Sequence, residues 1–141
     1  MQTVTVKEVE HIAFRLAKES MVFNEPIPDF ATRYPNILES CLSAPFQSFG
    51  AKDLYPTFLE KASIIFYLMI KNHPFQNGNK RVAMTTLFYI LYRNKKWLKV
   101  DAQTLYNFAV WVAGSPSNAK EEVVQYIQKF IKKHLIKLDK H

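Results

Sequence analysis

Two segments of the chain are apolar on almost every side when their residues are placed on a helix. The first covers residues 57–72 and the second about 78–94. A helix that is apolar all round is buried among other elements. We therefore predict that these two helices form the centre of the fold, joined by the short polar segment His73-Pro-Phe-Gln-Asn-Gly-Asn-Lys-Arg81.

Amphipathic patterns on both sides predict further helices. Thr5-Val-Lys-Glu8 is a capping-box pattern, which predicts a first helix that runs to about Ser20. Prolines at positions 26 and 28 interrupt helicity, so residues 21–33 are predicted to be an irregular connection. A short helix follows within residues 34–42, with Pro35 near its first turn.

The C-terminal third predicts two more helices. Trp97 and Leu98 are expected to return to the core after the second central helix. Asp101 is a natural N-cap for a helix that stops at Gly114, a typical C′ residue. Residues 116–141 predict a basic amphipathic helix beginning near Ser117. With only three glycines in 141 residues, the whole pattern predicts an all-α fold of about six helices in a single domain over residues 1–141.

Residues 44–56 do not fit the helical pattern. Pro45, Gly50 and Pro56 punctuate them. Spacing alone favours aromatic side chains that tuck into the core. The alternative is a flap or short hairpin that presents its backbone edge to an extended peptide. The aromatic residues in question are Phe46, Phe49 and Tyr55.

Composition bears on the cellular compartment and on the class of partner. The lone cysteine, Cys41, excludes an intramolecular disulfide and fits a reducing compartment. The longest apolar run, residues 64–70, is too short to span a bilayer, and the N-terminus lacks the apolar region of a signal peptide. We therefore expect a cytoplasmic protein. The net charge of +7 allows an anionic partner, although the lysines of the last helix favour a solvated face over a nucleic-acid patch.

The polar loop between the central helices carries the candidate chemistry. Pro74 ends the first helix near His73, Phe75 is expected to anchor the loop in the core, and Gly78 permits a tight turn and a close approach of backbone to ligand. The first N–H groups of the next helix then point outward. Lys80 and Arg81 occupy a helix start that normally prefers acids, where each cation costs about 0.3–1 kcal/mol.

That cost suggests an anion-binding site, and phosphate is the first candidate for the anion. The alternative is that the two cations simply point into solvent. His73 lies five residues before the turn at Gly78, and histidine is a residue type suited to act as a general base near neutral pH. No Cys/His cluster has zinc spacing.

The segment 73–81 resembles the signature of the Fic/Doc family, His-x-Phe-x-Asp/Glu-Gly/Ala-Asn-Gly/Lys-Arg. Lys80 stands where the adenylyl-transferring Fic branch has Gly, so the chain is most similar to the Doc (death-on-curing) branch. The resemblance covers residues 34–115. Its other carriers are Leu38-Glu-Ser-Cys-Leu42, Phe46, Tyr55-Pro56, Glu60-Lys61-Ala62, Asn72 and Val112-Ala-Gly114.

The resemblance implies a toxin of a toxin–antitoxin system that transfers the γ-phosphoryl group of ATP to a Ser or Thr hydroxyl of a protein such as a translation factor. Related Fic proteins transfer AMP instead. In the implied roles His73 deprotonates the hydroxyl and Arg81 clamps a phosphate. Gly78, Asn79 and Lys80 line the anion hole, and Phe75 anchors the loop. Residues 44–56 become the flap that registers the target, through Phe46, Phe49, Gly50 and Tyr55, which reverses the preference from spacing alone.

One position departs from the family pattern. Asn77 replaces the acid that is expected to hold Mg²⁺ on the phosphates, so metal affinity should fall. Three interpretations follow: a weaker metal site held mostly by ATP, another donor, or a catalytically impaired module that binds nucleotide or protein. An active transferase is the favoured one. The inhibitory pattern Ser/Thr-x-x-x-Glu-Gly/Asn is not matched by Ser117-Asn-Ala-Lys-Glu121, because Glu122 follows, so restraint would come from a separate antitoxin.

Overall fold

The computed structural model describes residues 1–20 and 27–138, and within these ranges the chain forms six helices and two small sheets. The predicted all-α fold is confirmed. Helix α1 covers residues 6–20 in three consecutive parts, Val6–Glu8, Val9–Phe14 and Arg15–Ser20. The others are α2 (Ile37–Ser43), α3 (Phe58–Lys71), α4 (Asn79–Arg93), α5 (Ala102–Ala113) and α6 (Lys120–His134). Short 3₁₀ turns lie at Phe30–Thr32, Ala44–Phe46 and Ser117–Ala119.

Helix α1 begins at the predicted capping box. The Glu8 N–H donates to Thr5 Oγ1 and the Thr5 N–H donates to Glu8 Oε1, each at 3.1 Å. Its middle part, Val9–Phe14, is a π-helical turn, which disturbs the regular backbone hydrogen bonding. The buried Thr85 hydroxyl of α4 donates to Ala13 O at 2.6 Å. This bond fixes the irregular turn of α1 to α4.

Helices α3 and α4 pack against each other at the centre, as predicted. Every residue from Lys61 to Ile70 is buried except Leu68, and α4 is buried continuously from Arg81 to Leu87. Helices α5 and α6 cover α3, where the Phe108 ring stacks on Phe130 with centroids 4.1 Å apart. Among the residues described, no helix has the length and apolar content needed to cross a bilayer.

The segment 44–56 forms a short exposed hairpin. Strands β1 (Ser48–Phe49) and β2 (Lys52–Asp53) pair antiparallel around Gly50, whose φ is 64°. Phe49 is 82% exposed and Phe46 is 45% exposed. The interpretation that these aromatics tuck into the core is therefore wrong for Phe46 and Phe49, because a two-residue ladder carries Phe49 away from the body, whereas Tyr55 is partly buried and packs against the core.

A second sheet joins the C-terminus to the end of α4, and no helical pattern predicted it. Strand β3 (Lys96–Leu98) pairs antiparallel with β4 (Leu135–Lys137). Leu98 is buried as expected, but Trp97 is 36% exposed. The expectation that Trp97 returns to the core is wrong, because neighbouring residues of a strand point to opposite faces.

Hydrogen bonds from both ends of the described chain meet beside this sheet. The Gln2 N–H donates to Asn94 Oδ1 at 2.9 Å, and Asn94 Nδ2 donates to Gln2 O at 3.2 Å. The Leu138 N–H donates to Lys95 O at 3.1 Å. Residues 2 and 138 are thus held on adjacent residues of one turn.

The predictions for the helix ends and for the connection before α2 have different outcomes. Asp101 caps α5 as predicted, accepting from the Thr104 N–H at 2.7 Å. The helix stops at Gly114 as predicted, but Gly114 is its C-cap, with a φ of −83°, and not its C′ residue. Pro35 precedes α2, whose N-cap is Asn36 with a φ of 69°. Of the irregular connection predicted at 21–33, residues 21–26 lie outside the described residues.

Cys41 is fully buried in α2. Burial raises the pKa of its thiol to about 12, so the thiolate that a nucleophile needs is not formed at neutral pH. The cysteine packs in the core.

Candidate active site

His73 occupies a strained position at the end of α3. Asn72 is the C-cap and its N–H donates to Leu68 O at 2.8 Å. The next residue, His73, has a φ of 51°, in the left-handed region that a helix end usually gives to glycine. A side chain there costs roughly 1–2 kcal/mol. Pro74 then prevents the helix from continuing, so the imidazole lies at the C-terminus of α3.

Asn79 closes the loop into a ring. Its Oδ1 accepts from the Phe75 N–H and its Nδ2 donates to Phe75 O, both at 2.9 Å. The Asn79 side chain is 7% exposed, and both of its polar atoms are used in holding the turn. The anion hole predicted for Asn79 would therefore be formed by its backbone N–H, while its side chain sets the shape of the loop.

The same amide also orients the histidine. Asn79 Nδ2 lies 3.4 Å from His73 Nδ1. Because an amide nitrogen only donates, Nδ1 accepts in this contact and the neutral ring carries its proton on Nε2. An incoming hydroxyl would have to compete with Asn79 for the Nδ1 lone pair, or the ring would have to change tautomer first.

A cleft of about 210 Å³ lies against this loop. It contains His73 together with most of the predicted anion-binding residues. Ile70 on α3 and Ala113 on α5 supply its apolar walls. The complete lining is Ile70, His73, Gln76, Asn77, Gly78, Asn79, Lys80 and Ala113.

The N-terminus of α4 faces this loop. Its N-cap is Gly78, with a φ of 76°, and no side chain within the described part of the chain caps the helix. The first turn contains no acidic residue. Asn77 Oδ1 accepts from the Gly78 N–H at 2.9 Å, so an anion that used this N–H would have to displace the amide oxygen.

Gly78 is required for space as well as for backbone conformation. A Cβ atom built there would lie 2.6 Å from Cγ1 of Ile27, a separation that non-bonded carbons do not tolerate. Any larger residue would force Ile27 or the turn to move.

Of the remaining motif residues, Phe75 and Arg81 lie outside the cleft lining and Lys80 belongs to it. Phe75 is 1% exposed and packs against Phe14 and Phe30, with ring centroids 5.3 and 5.7 Å apart. Arg81 is 4% exposed and is not part of the lining, so its predicted phosphate clamp would require a change in its surroundings. Lys80 is half-buried and does line the cleft.

The donor set near Asn77 fits a protein-held metal ion poorly. In residues 1–20 and 27–138 no group of three or more His, Cys, Asp or Glu side chains converges on a common point. The single amide oxygen of Asn77 is neutral and is engaged by Gly78. Hard divalent cations prefer several oxygen ligands that include carboxylates.

The hairpin residues predicted to dock a target form a separate feature. Phe46, Phe49, Gly50 and Tyr55 lie in or beside the β1–β2 hairpin, and none lines the His73 cleft. The ammonium group of Lys61 clamps the base of this hairpin. Its Nζ donates to Pro45 O at 3.3 Å and to Tyr55 O.

Sequence reasoning did not single out Lys71, which bonds to the end of the helix that supplies one wall of the cleft. Lys71 Nζ donates to Ala113 O at 3.3 Å and to Ser115 O. It therefore satisfies carbonyls at the C-terminus of α5, beside the wall formed by Ala113. The only sequence signal is a lysine in the last turn of α3, and its partners lie more than 40 residues away.

The family model described as Fic/DOC family matches residues 3–91. The match contains α1, α3, the loop 73–81 and α4 as far as residue 91, and it overlaps the resemblance noted from the motif over residues 34–91. Neither the curated proteins nor the solved structures gave a significant match. Because the family model covers more than half of the chain and includes the complete loop just described, the chain belongs to the Fic/DOC family.

Proposed function

We propose that this protein is a Doc-like toxin that transfers the γ-phosphoryl group of ATP to a Ser or Thr hydroxyl of a protein. Members of the Fic/DOC family generally transfer nucleotide-derived groups to proteins. We place its action in the cytoplasm, with a translation factor as the candidate target and a separate antitoxin as its restraint.

The observation that carries the proposal is the loop between α3 and α4. It places an exposed imidazole and the uncapped N-terminus of a 15-residue helix on one cleft. A helix N-terminus carries about half a positive charge, and Lys80 adds a full charge beside it. Such a site favours phosphate oxygens.

The proposed reaction balances without an additional reactant. His73 accepts the proton of the target hydroxyl while the hydroxyl oxygen bonds to the γ-phosphorus of ATP. The bond from that phosphorus to the β–γ bridging oxygen breaks, and ADP leaves. The N–H groups at the start of α4 and the Lys80 ammonium would stabilise the phosphate charge. The β1–β2 hairpin would hold the target segment.

Lys80 also favours phosphoryl over adenylyl transfer, because a long cation lines the cleft where the Fic branch has glycine. Adenylyl transfer, with loss of pyrophosphate, is the second candidate reaction.

Asn77 supports a third candidate, a protein that binds nucleotide without turnover, since the amide brings no negative charge for Mg²⁺. ATP titrated calorimetrically with and without Mg²⁺ into wild type and Asn77→Asp addresses this candidate. Metal-dependent binding by the aspartate variant alone would favour it.

The decisive test is transfer of label in a cell-free translation lysate. ATP labelled on the γ-phosphate should label a lysate protein with the wild type, and ATP labelled on the α-phosphate should not. His73→Ala should lower this labelling at least ~100-fold, the usual range for loss of an acid–base group, while ATP binding persists. Expression of the wild type should also arrest growth in a His73-dependent manner.

Label from the α-phosphate alone would replace this proposal by adenylyl transfer. Absence of both labels and normal growth, at confirmed expression and folding, would leave the binding module as the better account. Equal labelling by His73→Ala would remove the assigned proton acceptor.

A further inference from the structure

Helices α5 and α6 leave an apolar surface uncovered. Val110 and Trp111 of α5 and Tyr126 of α6 are each about half exposed. The Trp111 and Tyr126 rings meet edge to face with centroids 5.6 Å apart, and a groove of about 400 Å³ has all three residues in its lining. Contiguous exposed apolar residues of this kind mark interaction sites. We call this surface, which comprises these three residues together with Glu122 and Lys129, the α5–α6 face.

The α5–α6 face carries little net charge, although the whole chain carries +7. Helix α5 contains no charged residue. Among the described residues, Glu122 is the only charged one in the groove lining. Lys129 lies beside the groove, with Nζ 5.5 Å from the centroid of the Tyr126 ring. Since two copies of a strongly basic protein repel each other, a face with little net charge is where a second copy can approach.

Glu122 and Lys129 are spaced so that a two-fold axis pairs them. They lie on one side of α6, four residues before Tyr126 and three residues after it. About 10 Å of helix axis separates them, and no ion pair joins them within the described part of the chain. If two α6 helices run antiparallel with Tyr126 at the axis, Glu122 of each copy lies beside Lys129 of the other.

The same arrangement deals with the next cation on this side of α6. Lys133 lies seven residues after Tyr126, and Ala119 lies seven residues before it. Antiparallel pairing about Tyr126 therefore places Lys133 of one copy opposite Ala119 of the other. The cation meets an uncharged residue, so the pairing does not set lysine against lysine.

We propose that the α5–α6 face joins two copies of this chain in a two-fold symmetric dimer. Such an interface requires one patch to complement itself, and the charges of Glu122 and Lys129 meet this requirement. A nucleic acid would find no cation on α5, and a strongly acidic or basic protein would match only one of the two charges. The patch is small, which predicts weak association in the micromolar range.

The groove of the α5–α6 face and the His73 cleft share no lining residue. They approach each other at the C-terminus of α5, where Ala113 lines the cleft and Gly114 lines the groove. Dimer formation therefore does not depend on the proposed transfer reaction, and each can be tested without the other.

Sedimentation equilibrium of the purified chain measures the association. Between about 5 and 500 µM, the weight-average mass should rise from that of a monomer toward that of a dimer. Glu122→Lys and Lys129→Glu should each weaken the dimer at least ~10-fold, because each creates two like-charge contacts across the axis. The double variant Glu122→Lys/Lys129→Glu exchanges the charges and should restore the affinity to within about threefold of the wild type.

Matched controls separate the α5–α6 face from general effects of charge. Glu121→Lys makes the same charge change one residue earlier, on the side of α6 that lines a cleft beside the hairpin, and should leave the affinity within about twofold. Val110→Lys should abolish the dimer. Leu16→Lys on α1 should not, although Leu16 is 45% exposed and Val110 is 46% exposed. Thermal melts establish that every variant is folded.

Four outcomes would overturn the proposal. These are a wild type that stays monomeric over the whole range, equal weakening by Glu121→Lys and Glu122→Lys, a double variant that associates no better than the single ones, and an undiminished dimer in Val110→Lys. A monomeric wild type would leave a different protein as the occupant of the face. An unrestored double variant would show that the two-fold pairing of Glu122 with Lys129 does not form.

Discussion

His73 adopts a backbone conformation that glycine adopts more readily than any residue with a side chain. Its φ of 51° follows the end of α3, and Pro74 fixes the turn. Strain of this kind is maintained where a side chain serves a purpose. In the proposed reaction that purpose is proton transfer at the cleft.

Two substitutions at His73 separate strain from chemistry. His73→Gly and His73→Ala both remove the imidazole, but only alanine keeps a Cβ at positive φ. The glycine variant should therefore be more stable than the alanine variant by about 1 kcal/mol, measured by urea denaturation. Equal stability of the two would mean that the turn relaxes in solution.

Thr85 and Thr86 are adjacent, buried in α4, and differ in hydrogen bonding. The Thr85 hydroxyl donates to Ala13 O at the π turn of α1. The Thr86 hydroxyl is buried and has no hydrogen-bond partner among the described residues. Thr85→Val should thus destabilise the protein by roughly 1–3 kcal/mol, whereas Thr86→Val should be neutral or stabilising.

The two threonine variants serve as controls for each other, since both exchange a hydroxyl for a methyl group in the same helix. Denaturation curves provide the comparison. A larger loss for Thr86→Val than for Thr85→Val would contradict the assignment of the π-turn bond.

At the residue scale the sequence predicts what local chemistry decides. Pro74 and Gly78 marked the turn, and Thr5 with Glu8 marked a helix start, because each acts on its near neighbours. The two hydrogen bonds between the Asn79 side chain and the Phe75 backbone were not predicted, since they depend on the shape of the folded loop. The contacts of Lys71 with α5 were not predicted either, since they depend on carbonyls far away in the sequence.

At the element scale, one buried lysine donates hydrogen bonds to the base of the β1–β2 hairpin. Lys61 Nζ donates to carbonyls at both ends of the hairpin segment, Pro45 O and Tyr55 O. The only other described tie across the strand ends is the bond from the Leu54 N–H to Gln47 O at 3.0 Å. The hairpin should therefore open as a unit when Lys61 is removed.

Lys61→Met preserves the length of the side chain but removes the donor. Loss of about 1.4 kcal/mol of local stability would raise hydrogen exchange at the Leu54 N–H ~10-fold. Lys52→Met, on the exposed β2 strand, is the control and should leave that exchange unchanged. Unaltered protection in Lys61→Met would show that the clamp does not hold the hairpin.

Elements with a strong helical period were predicted well, and the strands were not. Both central helices lie where continuous apolar runs placed them. Strands β3 and β4 contain three residues each, too few for an alternation to stand out. Their pairing depends on α6 returning the chain to the end of α4, which is a property of the tertiary packing.

At the scale of the whole molecule, Glu8 couples the N-terminal helix to α4. Its Oε2 accepts from the Tyr89 hydroxyl and from Arg93. Burial alone would raise the pKa of Glu8, but the bonds from Tyr89 and Thr5 and the charge of Arg93 outweigh it and lower the pKa below 4.5. The ionised form therefore stabilises the native fold.

A lowered folded pKa fixes the direction of the pH dependence. The contribution of Glu8 is complete above the unfolded pKa, near 4.5, and is lost as the pH falls through the folded pKa. The stability difference between wild type and Glu8→Gln should thus be largest near neutral pH and shrink under acid conditions. Urea denaturation across this range measures it, with Glu19→Gln, an exposed carboxylate of the same helix, as the control.

A difference that grew on acidification, or that was equal for both variants, would contradict the coupling through Glu8.

The fold class followed from the sequence because the six predicted helical stretches account for most of the chain. The joining of α1 to the far end of α4 did not, since Glu8 and Arg93 are 85 residues apart.

The hydrogen bonds of Gln2 to Asn94 and of Leu138 to Lys95 also make the chain suitable for circular permutation. Because Gln2 and Leu138 are held side by side, a short flexible linker could connect them without crossing the body. New termini could then be opened at the tip of the hairpin, next to Gly50, where no core contact would be cut. Such a circular permutant would keep α3, the loop and α4 in one uninterrupted stretch while releasing the hairpin strands from each other.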